Sequence, residues 1–199
     1  MKKLTDYQAI VVDLDGTLYF QKPVRLAMLK EMLLHFWRIR EFLVVKKYRE
    51  LFEQGLNEQE RLARLPSYAS VVIQEWMVDR PCPYVAKYKD SELIGLLEGA
   101  KAVSVMVIVY SDYPVKEKLR ALGFLPDAAY RSEDIGALKP EAEGLKRILE
   151  ENGIRPERCL VIGDRDEKDA VLSRNLGSEK LILPSSVSDR KTVLETMRL

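Results

Sequence analysis

Residues 9–18 read Ala9-Ile10-Val11-Val12-Asp13-Leu14-Asp15-Gly16-Thr17-Leu18. A short, continuous, β-branched run is what a parallel strand buried on both faces requires, so Gln8–Asp13 is predicted as such a strand. Two carboxylates two residues apart on an extended chain point to the same side. The glycine beside them lets the chain turn away sharply at the strand end. An apolar strand, paired acids and a turn together make a place to hold a divalent cation and a phosphate near a nucleophilic oxygen. Carboxylates suit a hard, oxygen-seeking ion such as Mg²⁺.

The rest of the chain follows two different patterns. Val24 to about Phe52 repeats apolar residues at helical spacing between charges, and predicts one long helical segment broken at Gly55-Leu56-Asn57. Further helices are expected over Glu58–Arg64 and from Ser67 to about Asp79. Arg80-Pro81-Cys82-Pro83 cannot continue a helix. A short helix over Ser91–Glu98 takes Gly99 as its C-cap. Strand chemistry then returns at Val103–Tyr110, Ala128–Arg131, Cys159–Ile162 and Lys180–Leu183. Helices are predicted between them over Val115–Leu122, Lys139–Glu151 and Lys168–Asn175, with a last one over Asp189–Met197. Strands alternating with helices predict an α/β fold, a parallel sheet flanked by helices on both faces. Residues 1–19 and 99–199 form that core, and residues 20–98 are a helical insertion leaving the carboxyl end of the first strand. Ligands bind at that end of open parallel sheets, so the insertion should overhang the acids as a cap.

Bulk properties exclude several functions. Among 199 residues, 32 basic side chains stand against 31 acidic ones, so no strong field points to nucleic acid or an anionic membrane. No uncharged run exceeds that of Ala102–Ser111, far short of the ~20 residues a membrane span needs. The charged start Met1-Lys2-Lys3-Leu4 is followed by no apolar signal segment, which leads us to expect a cytoplasmic protein. Cys82 and Cys159 are too few for a disulfide scaffold and are expected as reduced thiols. With His35 the single histidine, a His-rich zinc site is excluded.

Polar groups recur at the predicted strand ends: Asp13 and Asp15, then Ser111, Lys139 and Asp164, with Asp169 five residues on. Taken singly, Ser111 is equally a helix cap and Lys139 equally an exposed loop lysine. Asp164 could be an N-cap and Asp169 a solvated acid. Taken together and in order, Asp13-Leu14-Asp15-Gly16-Thr17-Leu18, Tyr110-Ser111-Asp112, Lys139-Pro140 and Gly163-Asp164-Arg165-Asp166-Glu167-Lys168-Asp169 resemble the haloacid dehalogenase superfamily over the whole chain.

That resemblance implies a Rossmann-like sheet with an α-helical cap inserted after the first strand, and a phosphatase working through an aspartyl-phosphate. Asp13 would be the nucleophile and Asp15 the general acid and base, which requires its pKa to be tuned upward. Mg²⁺ would be held by Asp13, the main-chain carbonyl of Asp15, and Asp164, with Asp169 orienting its shell. Ser111, Asp112 and Lys139 would form the phosphate-binding set, main-chain N–H groups beside Ser111 assisting. The sequence departs from the family pattern at Lys168 and at Asp112, where asparagine is common. Asp15 argues for phosphate chemistry over carbon–halogen cleavage. The expected substrate is a small phosphorylated metabolite. A phosphomutase with the same core chemistry, or a catalytically silent binding protein, is the alternative. The protein is expected as a monomer, or as a homodimer through the cap.

Overall fold

The computed structural model describes residues 3–197. Met1 and Lys2, the start of the charged N-terminal segment, lie outside them. Five parallel strands form one sheet: β1 (Ala9–Val12), β2 (Met106–Ser111), β3 (Ala128–Arg131), β4 (Cys159–Gly163) and β5 (Glu179–Ile182). Their spatial order is β3-β2-β1-β4-β5. β1 therefore sits in the centre, with Val12 opposite Val109 on one side and Ile162 on the other. The chain runs outward from β1 to β2 and β3, then crosses to β4 and β5. The crevice beyond the carboxyl ends of β1 and β4 is the switch point where such sheets bind ligands.

Alternation along the strands explains why both faces are covered. Ile10, Val12, Val107, Val109, Leu160 and Ile162 point into one buried cluster with Leu93, Leu97 and Leu122. Ala9, Val11, Ile108, Tyr110 and Val161 point into the other with Leu145, Ile148 and Leu172. Each buried Leu or Ile contributes about 1.5–3 kcal/mol relative to exposure, which makes the layered arrangement the stable one.

The inserted segment forms α1 (Gln21–Leu34), α2 (Ile39–Glu53), α3 (Glu58–Ala63), α4 (Ala69–Ile73) and α5 (Cys82–Lys87). The single segment expected over 24–52 is two helices, separated by a 3₁₀ turn at Phe36–Arg38. His35 leaves the helical region at φ −118°, ψ 35°, and turns its ring nitrogen onto the Glu31 carbonyl at 2.8 Å. α4 runs on through a π-helical turn, Gln74–Asp79, and Pro81 then opens α5. Glu75 in that turn receives both terminal nitrogens of Arg38 at 2.6 Å. The chain leaves the core at Tyr19 and returns at Lys89, and these two residues pair as an antiparallel bridge.

α6 (Ser91–Ala102) is longer than expected. Gly99 lies inside it, because Leu97 and Ala100 on either side are buried against the sheet and hold the last turn in place. The helix breaks at Ser104 instead, whose φ is 67°. α7 (Lys116–Leu122), α8 (Ser132–Ile135), α9 (Ala142–Glu151), α10 (Val171–Leu176) and α11 (Val187–Glu195) complete the core. α9 starts after Pro140 rather than at Lys139, leaving Lys139 on the loop that faces the site. Among the described residues, no helix is long and apolar enough to cross a membrane. Cys82 and Cys159 are both free thiols.

Candidate active site

The strand β1 ends at Val12, but its hydrogen bonding continues one residue further, the Asp13 N–H donating to the Ile162 carbonyl at 2.9 Å. The chain then coils, with Leu18 N–H reaching back to Leu14 O at 3.1 Å. Gly16 adopts φ 98°, and a Cβ there would meet Asp164 Oδ2 at 2.2 Å, so only glycine fits beside that carboxylate. Arg190 of α11 secures this turn from behind. Its Nη1 donates to Thr17 O and its Nη2 to Gly16 O, both at 2.8 Å, and Asp90 Oδ2 lies 3.2 Å from Nη1.

Because the turn intervenes, Asp13 and Asp15 do not share one partner on one side, as an extended strand would have them. Asp13 Oδ1 accepts from Lys139 Nζ at 2.8 Å. The same ammonium reaches Asp169 Oδ1 at 3.0 Å. Burial would push Lys139 toward neutrality, but Asp13 and Asp169 outweigh it and hold the ammonium charged. Asp15 Oδ1 takes Lys118 Nζ at 2.5 Å and also the Tyr19 hydroxyl. Ser111 Oγ lies 3.5 Å from Asp15 Oδ2.

The two acids differ accordingly in acidity. Burial raises Asp13, with Asp169 and Asp15 adding to the rise against the pull of Lys139. Burial also acts on Asp15, yet Lys118, Tyr19 and Arg165 more than offset it and hold that carboxyl below its ordinary value. These neighbours act against the upward tuning expected for a general acid, and the largest of them is the Lys118 ion pair.

Asp13, Asp164 and Asp169 come together with one carboxylate oxygen from each within 4.8 Å of the others. Asp169 is completely buried on a π-helical turn, Asp166–Ala170, whose extra residue swings it inward. Gly163 makes room for it, since a Cβ at that position would lie 2.2 Å from Asp169 Oδ2. Asp164 Oδ1 is buried without a hydrogen-bond partner, and burial raises the Asp164 carboxyl, with Asp169 adding to the rise. Three convergent carboxylates, one with an orphaned oxygen, fit a hard divalent cation.

Asp112 behaves differently from the phosphate-binding role expected of it. Its carboxylate accepts from Ser132 Oγ at 2.7 Å, from the Lys139 N–H at 3.2 Å and from Lys168 Nζ at 2.7 Å. These bonds, which hold its pKa down against burial, leave the side chain committed to the scaffold. An anionic carboxylate would also repel phosphate. Ser111 is fully buried, and its Oγ accepts from the Tyr113 N–H at 3.2 Å.

Lys118, Tyr19, Arg190 and Asp90 were not singled out in the sequence. Tyr19 lies one helical turn after Asp15, a spacing that could have suggested it. Nothing local marks Lys118, seven residues beyond Ser111 in an ordinary helix. A cavity of about 700 Å³ opens over Asp15 and Lys118, walled on the side of α1–α5 by Met28, Met32 and Phe42, and by Trp76.

Several solved structures share this fold. A HAD phosphatase from Thermococcus onnurineus superposes with a TM-score of 0.58 at 16% identity, over 96% of this chain and 100% of that one. The HAD-hydrolase YfnB from Bacillus subtilis, bound to magnesium, gives 0.63 at 14% identity, over 100% of both chains. A 2-haloacid dehalogenase from Pseudomonas syringae pv. Tomato DC3000 gives 0.58 at 17%, over 89% of this chain and 86% of that one. No curated protein matches the sequence. The family model for haloacid dehalogenase-like hydrolases matches residues 7–177, which takes in every strand end described above except that of β5. The chain belongs to the haloacid dehalogenase-like hydrolases.

Proposed function

We propose that the protein is a Mg²⁺-dependent phosphatase acting on a small phosphorylated metabolite through an aspartyl-phosphate. The observation that carries this reading is the Asp13 carboxylate, neutralised by Lys139 at 2.8 Å and converging with Asp164 and Asp169, two residues before the Asp15 that lines the cavity. Asp13, Asp164 and Asp169 would hold the ion, together with the main-chain carbonyl of Asp15. When bound, the ion supplies positive charge that reduces repulsion between Asp13 and an anionic phosphate.

Asp13 would attack phosphorus as the ester P–O bond breaks. Asp15 would protonate the departing alcohol oxygen. It would then take a proton from the water that hydrolyses the aspartyl-phosphate, regenerating Asp13 and releasing inorganic phosphate. Asp15 begins as a carboxylate held by Lys118. A dianionic ester placed beside it raises its pKa and competes for the Lys118 ammonium, so substrate binding itself loads the proton. Ser111 and Lys139 would bind phosphoryl oxygens, with main-chain N–H groups after β2 in place of the Asp112 side chain.

Helices α1–α5 serve in this reading as the cap. Its two crossings are held together by the Tyr19–Lys89 bridge and by the Phe20 N–H donating to Tyr88 O at 2.9 Å. α6 packs with the core. Release of inorganic phosphate from a simple aryl phosphate, measured with and without Mg²⁺, tests the reading. Turnover that needs the ion and is lost in Asp13→Asn supports it, and a folded protein releasing no phosphate refutes it.

A further inference from the structure

Among the cations around the acids at the strand ends, Arg190 is bonded to the turn after β1 and three lysines are engaged by carboxylates. Lys139 is bonded to Asp13 and Asp169, Lys118 to Asp15 at 2.5 Å, and Lys168 to Asp112 at 2.7 Å. Arg165 is the exception. It follows Asp164 at the end of β4, and its main-chain N–H donates to Asp169 Oδ2 at 3.3 Å, which fixes the start of its side chain. The guanidinium itself makes no hydrogen bond or ion pair with any described residue, and its Nε is buried without a partner. It nonetheless feels Asp13, Asp169, Asp164 and Asp112, and its charge in turn reaches Asp15. It lines the same cavity as Asp15, Tyr19 and Lys118.

A buried donor left unpartnered costs free energy, and the Nε of the Arg165 guanidinium is one. Leaving it free is economical only when an anion completes it. Its planar fork matches two oxygens of a phosphate group, whereas an ammonium offers a point charge. We propose that Arg165 binds two non-bridging oxygens of the phosphoryl group as the ester sits against Asp13. This inference rests on the phosphatase reading above. Charge in phosphoryl transfer spreads over three equatorial oxygens, and a fixed fork at two of them stabilises that distribution. Arg165 is then a catalytic residue, and it differs from Arg25 and Arg49 in the same cavity by adjoining Asp164 and by its buried, unpartnered Nε.

Calorimetric binding of inorganic phosphate in the presence of Mg²⁺ tests this without turnover, alongside kcat and KM for an aryl phosphate. Arg165→Ala and Arg165→Gln should weaken phosphate binding about tenfold. They should lower kcat/KM about a hundredfold. Arg165→Lys should fall between them and wild type, and added guanidinium ion should restore part of the Arg165→Ala rate. Because the guanidinium bonds to no described residue, Arg165→Ala should unfold within a few degrees of wild type. If that variant does not fold, the Lys and Gln variants carry the comparison. Phosphate binding and turnover within threefold of wild type in the variants would overturn the proposal. So would equal losses in Ala and Lys with no rescue by guanidinium. A wild-type protein that neither binds phosphate nor hydrolyses the ester would instead remove the phosphatase reading itself.

Discussion

Lys168 Nζ lies 2.7 Å from Asp112 Oδ2, so the two positions at which the sequence departs from its family's usual asparagines are partners. A charged pair spans from the end of β2 to the turn after β4. The carboxylate at its centre also holds Ser132 and the Lys139 N–H. Asp112 is 3% exposed, so an unpaired charge there is costly.

This pairing predicts non-additive stabilities. Lys168→Asn alone should cost about 1–3 kcal/mol by leaving a buried carboxylate short of a charged partner. The double variant Asp112→Asn with Lys168→Asn should recover most of that, because it replaces the ion pair with neutral hydrogen-bonding groups. Urea unfolding of the four members of the cycle measures the coupling, and strictly additive losses would contradict the pairing.

Lys118 predicts a larger loss. It is 6% exposed and bonded to Asp15, itself 8% exposed. Lys118→Met keeps the length of the side chain but strands the carboxylate, and should destabilise the fold by about 3–5 kcal/mol. Adding Asp15→Asn should restore part of this, since the stranded charge disappears. Chemical denaturation of the single and double variants checks both statements.

Arg190 anchors the turn that carries the paired acids, from a helix near the other end of the chain. Arg190→Met should free the Gly16 and Thr17 carbonyls and leave Asp90 uncompensated, at about 3–5 kcal/mol. Guanidinium unfolding and the loss of turnover of an aryl phosphate, where the proposed activity holds, should track together, because the same bonds fix the turn that carries Asp15.

Acid should weaken the packing of the α1–α5 segment through Glu75. Both terminal nitrogens of Arg38 reach its carboxylate at 2.6 Å, and Arg80 Nε reaches it at 2.8 Å. The Arg38 bonds are the main cause that holds its pKa down to about 2 from an ordinary 4.5. A pKa lower in the folded than in the unfolded state stabilises above the unfolded value, and that stability is lost as pH falls from about 4.5 toward 2. The side chain is 29% exposed, so solvent screening limits the contribution to about 1 kcal/mol. Glu75→Gln should lower stability at neutral pH and match wild type near pH 2. An unchanged difference between the two across that window would refute the assignment.

The sheet was legible, and with it the positions of Asp13, Ser111 and Asp164, because each of these three lies where an unbroken apolar run meets a turn. Burial on both faces makes such continuous runs strands, and parallel strands place their ends together. The partner of Asp15 was not legible, since Lys118 reaches it across 103 positions of sequence. Long-range ion pairs leave no local pattern. The break between α1 and α2 was hidden for a related reason. No glycine or proline marks it, and the apolar spacing runs straight through His35. Gly99 misled in the opposite sense, as burial of Leu97 and Ala100 holds a helix past a residue that would end it in isolation.

The central claim is that Asp13 carries the phosphoryl group. Acid-quenching the enzyme during turnover of an aryl phosphate, reducing the acyl phosphate with borohydride and mapping the product by mass spectrometry locates that group directly. The account predicts reduction at Asp13 in wild type and none in Asp13→Asn. Turnover with no covalent intermediate, or a label at another residue, would contradict it.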